Sequence, residues 1–93
     1  MARTPKLSKR ARKFLGRLAA KQVRQITTKI DKLCADPRLH DSETLRGYPG
    51  LLRNDQGEFR ITYRYTDATL FVILVGKRND DEVYRALRRY MGR

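Results

Sequence analysis

The chain has 93 residues, 22 of them Lys or Arg and 10 Asp or Glu, giving a net charge of +12 and a pI near 10.6. That length supports one hydrophobic core, and a single domain over residues 1–93 is expected. One cysteine excludes an internal disulfide and cannot by itself build a zinc site. No apolar run reaches the roughly eighteen residues of a membrane span, and no apolar segment of a secretory leader follows the basic N-terminus. A cytoplasmic protein with an anionic partner is the expectation: nucleic acid, an acidic protein or an anionic surface. Residues 1–32 hold eleven Lys or Arg against one acid, Asp31, and so carry most of the net charge.

Taken in order, Arg3 to Leu7 is extended at best, and Pro5 restricts it to an edge or an arm. Ser8 suits a helix N-cap. Ala11, Phe14, Leu15 and Leu18 then recur at helical spacing, with Lys9, Arg10, Arg12, Lys13 and Arg17 around the remaining surface. Ala19 to Lys21 is a corner or a continuation. Val23, Ile26, Ile30 and Leu33 give a second apolar stripe that ends near Asp36-Pro37. Cys34 reads as a small core residue. Arg38 to Gly50 is expected to be a loop, punctuated by Pro49-Gly50. His40 is the only histidine, and a lone loop histidine is usually solvated.

Leu51 to Asn54 reads as a strand, with Asn54 to Gly57 as the turn into the next. Phe59 to Tyr65 alternates: Phe59, Ile61, Tyr63 and Tyr65 on one side, Arg60, Thr62 and Arg64 on the other. Thr66-Asp67-Ala68 suits a hairpin turn. Thr69 to Val75 is a continuous apolar, β-branched run, which predicts a central strand covered on both faces. After Gly76 the chain turns through Lys77-Arg78-Asn79. Asp80 or Asp81 then caps a helix to about Tyr90, whose inner stripe is Val83, Leu87 and Tyr90. Tyr84 lies about 100° round from Val83 and so off that stripe.

These residues offer no metal-ligand cluster, no phosphate-cradling glycine loop and no Ser-His-Asp or Cys-His pair. Arginine and tyrosine remain. Arginine grips phosphate bidentately. Tyrosine stacks on bases or shares in proton transfer. RNA brings its own nucleophile, the 2′-hydroxyl. A protein that aligns this hydroxyl and neutralises the charge developing on phosphorus can cleave RNA without a metal or other cofactor.

The basic helical segment ending in LCADP, the stretch LRGYPGLLR, the strand GEFRITYRY, the strand FVILVGKR and the closing VY together resemble a RelE-type toxin of the RelE/ParE toxin–antitoxin superfamily. GEFRITY and VGKRNDDEVY are the specific pieces. The resemblance implies an α+β fold: a small antiparallel sheet, an N-terminal two-helix hairpin on one face and a short C-terminal helix. It implies a ribosome-dependent mRNA endonuclease that cuts the codon in the A site, leaving a 2′,3′-cyclic phosphate and a 5′-hydroxyl. Its expected partners are a cognate antitoxin in a hetero-oligomer, the ribosome with its rRNA, and mRNA, with no membrane.

By that resemblance Arg60 stabilises the pentavalent phosphate and Arg78 grips it from the GKR loop. An arginine stays protonated and is a poor proton donor, so charge stabilisation is its role. Tyr84 matches a C-terminal tyrosine that stacks on a base and assists proton transfer. Arg53 matches a basic residue on the preceding strand, but the lysine pair of the best-studied members is replaced by Leu51-Leu52-Arg53, which leaves the general base unassigned. Arg64 shares the side of Arg60. Lys9, Arg10, Lys13, Arg17, Lys21 and Arg24 are candidates for ribosomal RNA by charge. Two rivals stay open: a ParE-like gyrase inhibitor on the same fold, and a non-catalytic nucleic-acid-binding module.

Overall fold

The computed structural model describes residues 2–78 together with Arg85, Arg88 and Arg89. Their elements are β1 (Thr4–Leu7), α1 (Lys9–Leu15), α2 (Ala20–Ala35), β2 (Glu43–Thr44), β3 (Leu52–Gln56), β4 (Phe59–Tyr65) and β5 (Thr69–Lys77). The strands form one sheet in the order β1-β5-β4-β3-β2. β2 to β5 pair antiparallel, as expected, whereas β1 runs parallel to β5, so the sheet is mixed. The expected C-terminal helix lies mostly outside the described residues; Arg85, Arg88 and Arg89 have helical backbone.

Each helix starts where a local group can satisfy its free N–H donors. Ser8 caps α1, its Oγ accepting from the Ala11 N–H at 3.0 Å and donating to the Ile73 carbonyl at 2.6 Å. The same residue therefore begins the helix and ties it to β5. The chain turns after Leu15, through Gly16 to Ala19, which places the corner a few residues before the expected one. At the start of α2 Gln22 Oε1 accepts from the Ala19 N–H at 3.2 Å.

Both helices cover one face of the sheet. Ala11, Leu15, Ile26, Ile30, Leu33 and Cys34 pack there against Leu52, Phe59, Ile61, Tyr63, Leu70, Val72 and Val75. Phe14 meets Phe59 edge to face, centroids 5.9 Å apart. Cys34 is buried, and burial raises its thiol pKa. The Tyr63 hydroxyl, inside this core, donates to the Pro37 carbonyl and hydrogen-bonds with Ser42 Oγ at 2.8 Å. Those contacts fasten the 37–42 segment to the sheet.

The expectation that β5 is central and covered on both sides holds. Opposite Thr62 the β4–β5 register shifts, and β5 spends two residues, Ile73 and Leu74, where β4 spends one. Leu45 and Leu51 bury these two on the outer face, with Tyr48 half-buried beside them. The segment read as a plain loop, Arg38 to Gly50, thus contains β2 and an apolar cover. Gly47 (φ 81°) and Gly50 (φ 86°) supply the left-handed backbone that folds it back.

Candidate functional site

Directly paired residues of a ladder project to the same side of a sheet. Asn54, Ile61 and Val75 therefore face the helices, and Arg53, Thr62 and Leu74 face away from them. The same register places Asp55, Arg60 and Gly76 on the outer face at one end, and Arg64 beside Phe71 on that face at the other.

At the first end Arg60 is held by a carboxylate. Its Nε donates to Asp55 Oδ1 at 2.9 Å and its Nη2 to Asp55 Oδ2 at 3.4 Å. Arg53 Nη1 lies 3.6 Å from Asp55 Oδ2, and Arg53 Nη2 pairs with Glu43. Two guanidinium groups thus converge on Asp55 in a sheet-borne cluster. The arrangement fixes both side chains, at 17% and 23% exposure, in positions that long free arginines would not keep. A guanidinium carries about five N–H donors in a fixed fork, a geometry that matches phosphate as well as carboxylate.

Asp55 and Glu43 were not legible as site residues. The sequence places Asp55 in a turn, but β3 runs on to Gln56 and only Gly57 and Glu58 form the loop. Gly57 has φ 59°, and a glycine in the first position of a two-residue hairpin loop tolerates that geometry. Once the loop is placed there, counting outward pairs Gln56 with Phe59 and Asp55 with Arg60. The length of the loop therefore fixes which carboxylate meets Arg60.

Arg78 is exposed just beyond β5, and its backbone N–H donates to the Glu58 carbonyl at 2.9 Å. That bond brings the Arg78 backbone to the hairpin end from which Arg60 projects. Tyr84 lies outside the described residues. At the opposite end the Arg64 guanidinium lies over the Phe71 ring at 4.1 Å and is exposed. Lys9, Arg10 and Lys13 on α1, Arg17 at the corner, and Lys21 and Arg24 on α2 are all exposed. They belong to the helical layer on the other side of the sheet. The fold gathers Arg53, Arg60 and Arg64 on one face and separates them from the helix bases. His40 is exposed in the 38–42 segment.

Among the described residues no group of His, Cys, Asp and Glu is arranged to hold a metal, and no helix is long and apolar enough to cross a membrane.

Residues 6–82 match the family described as the ParE toxin of type II toxin-antitoxin system, parDE. The chain belongs to this family. Solved structures place it more broadly in the RelE/ParE superfamily. A variant of E. coli toxin RelE with two arginines changed to alanine, in the free state, is 29% identical with a TM-score of 0.77, covering 96% of this chain and 98% of its own. The toxin of the intact E. coli RelBE toxin–antitoxin complex is 28% identical with a TM-score of 0.71, covering 82% and 96%. The RelBE2 complex from Mycobacterium tuberculosis, at 23% identity and a TM-score of 0.72 over 84% and 100%, shares the fold. No curated protein matches the chain. The chain is thus a RelE/ParE-family toxin of a type II toxin–antitoxin system.

Proposed function

We propose that this toxin is a ribosome-dependent mRNA endonuclease that cleaves the message in the A site and so stops translation. The observation that carries the reading is the pairing of Arg53 and Arg60 on Asp55, with the Arg78 backbone docked at the same hairpin end. Charge stabilisation on phosphorus needs donors fixed before the reaction, since reorganising them during it raises the barrier. A clamp built from paired strands supplies that fixity.

In the reaction the 2′-oxygen attacks the adjacent phosphorus and passes its proton to water. The bond from phosphorus to the 5′-oxygen breaks, and that oxygen takes up a proton from water. The products are a 2′,3′-cyclic phosphate and a 5′-hydroxyl. Arg60 and Arg78 stabilise the negative charge of the pentavalent intermediate, Arg53 supports the approach of the strand, and Tyr84 stacks on a base beside the cut and shares in the proton transfer through its hydroxyl. A cognate antitoxin is the protein partner, as RelB is for the RelE toxins of the solved complexes. Ribosomal RNA and mRNA are the nucleic-acid partners, which places the activity in the cytoplasm.

The test is a translation extract programmed with a defined message. Wild-type toxin should create new 5′-hydroxyl ends within translated codons. Arg60→Ala, Arg78→Ala and Tyr84→Phe should each lower that cleavage by about tenfold or more, about 1.4 kcal/mol per decade, with ribosome association retained. Equal cleavage by all four proteins would remove the site assignment. The ParE match favours a second reading, inhibition of DNA gyrase. Accumulation of gyrase-dependent DNA breaks on induction, with messages intact, would select it.

A further inference from the structure

We infer that Lys6, Arg64 and Phe71 form a second nucleotide-binding subsite, which seats one base and one phosphate of a single-stranded RNA away from the point of cleavage. The inference rests on reading the outer sheet face as the surface that meets RNA. The edge strand β1 brings Lys6 opposite Phe71, and β4 brings Arg64 opposite the same ring from the other side. All three therefore project to the face that carries Arg60. Together with Leu7, Ser8, Leu51, Val72 and Ile73 they line an open concavity of about 310 Å³. That is the lower end of the roughly 300–1,000 Å³ typical of small-ligand sites, a size suited to a single base.

Charge distinguishes this end of the face from the other. Arg53 and Arg60 are each paired with carboxylates. Neither Arg64 nor Lys6 pairs with an acid among the described residues, which leave both positive charges uncompensated. The Arg64 guanidinium carbon lies over the Phe71 ring, 4.1 Å from its centroid, which positions the cation without neutralising it. A guanidinium held over a ring presents a stacking surface for a base, while its edge and the Lys6 ammonium attract phosphate. Arg60 and Arg64 are separated by four residues along β4, or roughly 13 Å at about 3.3 Å per residue. That distance corresponds to a few nucleotides of an extended strand. The subsite would thus hold the message at a position it does not cut.

The test uses the full chain and a short 2′-O-methylated, single-stranded RNA, which binds but cannot be cleaved. 2-Aminopurine replaces one base at a time. In the wild type one position should be quenched by stacking, and Phe71→Leu should abolish the quench and weaken binding by about fivefold or more. Lys6→Ala and Arg64→Gln should each lower the slope of log affinity against log salt by about one. Thermal melting checks that each variant is folded. A quench and slopes that are the same in all four proteins would overturn the subsite. So would variants that bind RNA normally but lose an acidic peptide, which would make this patch an antitoxin contact. Failure of the nuclease reading is separable: the quench would persist while translated messages stay intact.

Discussion

Asp41 shows how one exposed carboxylate can fasten a whole segment. Its Oδ2 accepts from Lys29 Nζ at 2.9 Å and its Oδ1 from the buried Asn54 Nδ2 at 2.8 Å. The Lys29 hydrogen bond first, then that from Asn54, lowers its pKa from 3.8 to about 2. A carboxyl with a lower pKa folded than unfolded stabilises the fold while ionised. Its contribution is complete above the unfolded value of 3.8 and disappears as pH falls from there through about 2. Asp41→Asn should therefore be less stable than wild type at neutral pH, and the gap should close at pH near 2. Urea midpoints at the two pH values measure it, and a gap independent of pH would show that the carboxylate is not the anchor. Tyr63 works from the other side of the same segment, through Pro37 and Ser42. Neither group touches the arginine cluster, yet both hold the connection that leads to Glu43, the partner of Arg53.

At the scale of elements, the β3–β4 hairpin decides the candidate site. It sets Asp55 against Arg60 and Arg53 against Thr62. A different loop length would slip the register by a residue and turn each side chain to the opposite face. Gly57 keeps the loop short because its φ of 59° is a conformation that a Cβ penalises. Gly57→Ala should cost about 1–2 kcal/mol, although nothing within 4 Å would meet the added methyl. The cost should appear in urea unfolding as a lower midpoint at unchanged slope. The same variant should lose message cleavage beyond what its stability loss explains, since Asp55 and Arg60 depend on the register. Wild-type stability in this variant would mean that the loop tolerates another geometry. β1 has the complementary role. Pro5 lacks a donor and would break a central strand, but at the sheet edge the parallel pairing with β5 survives it.

Across the whole molecule, the positive charge is divided between two surfaces. The helical layer presents Lys9, Arg10, Lys13, Arg17, Lys21 and Arg24, and the outer sheet face presents the fixed arginines. Association with a large polyanion depends on total exposed charge, whereas a chemical step depends on a few oriented groups. Charge reversal on the helices, as in Lys13→Glu with Lys21→Glu, should weaken ribosome association and flatten its salt dependence. Cleavage per bound toxin should stay near wild type. A loss of cleavage with association intact would place the helices in the chemistry.

Much of this was legible along the chain because it depends on local periodicity. The apolar stripes of α2, the alternation of β4, the Ser8 cap and the two-sided burial of β5 are one-dimensional patterns. Each translates directly into a buried face. The basic segment and the Arg60 and Arg78 motifs were equally plain. Other features were not, because they depend on strand register or join residues far apart in sequence. The parallel docking of β1 on β5 depends on a crossover through both helices. The apolar cover from Leu45 to Leu51 depends on a bulge opposite Thr62. The carboxylates that hold Arg53 and Arg60 are fixed by a loop length, and Lys6 reaches Phe71 only across the sheet. The sequence by itself determined the apolar stripes of the helices and strands, the charge and the family resemblance, because those follow from spacing and type. Only the tertiary structure decided which cations are braced by an acid and which are not, because that is set by strand register and not by residue type.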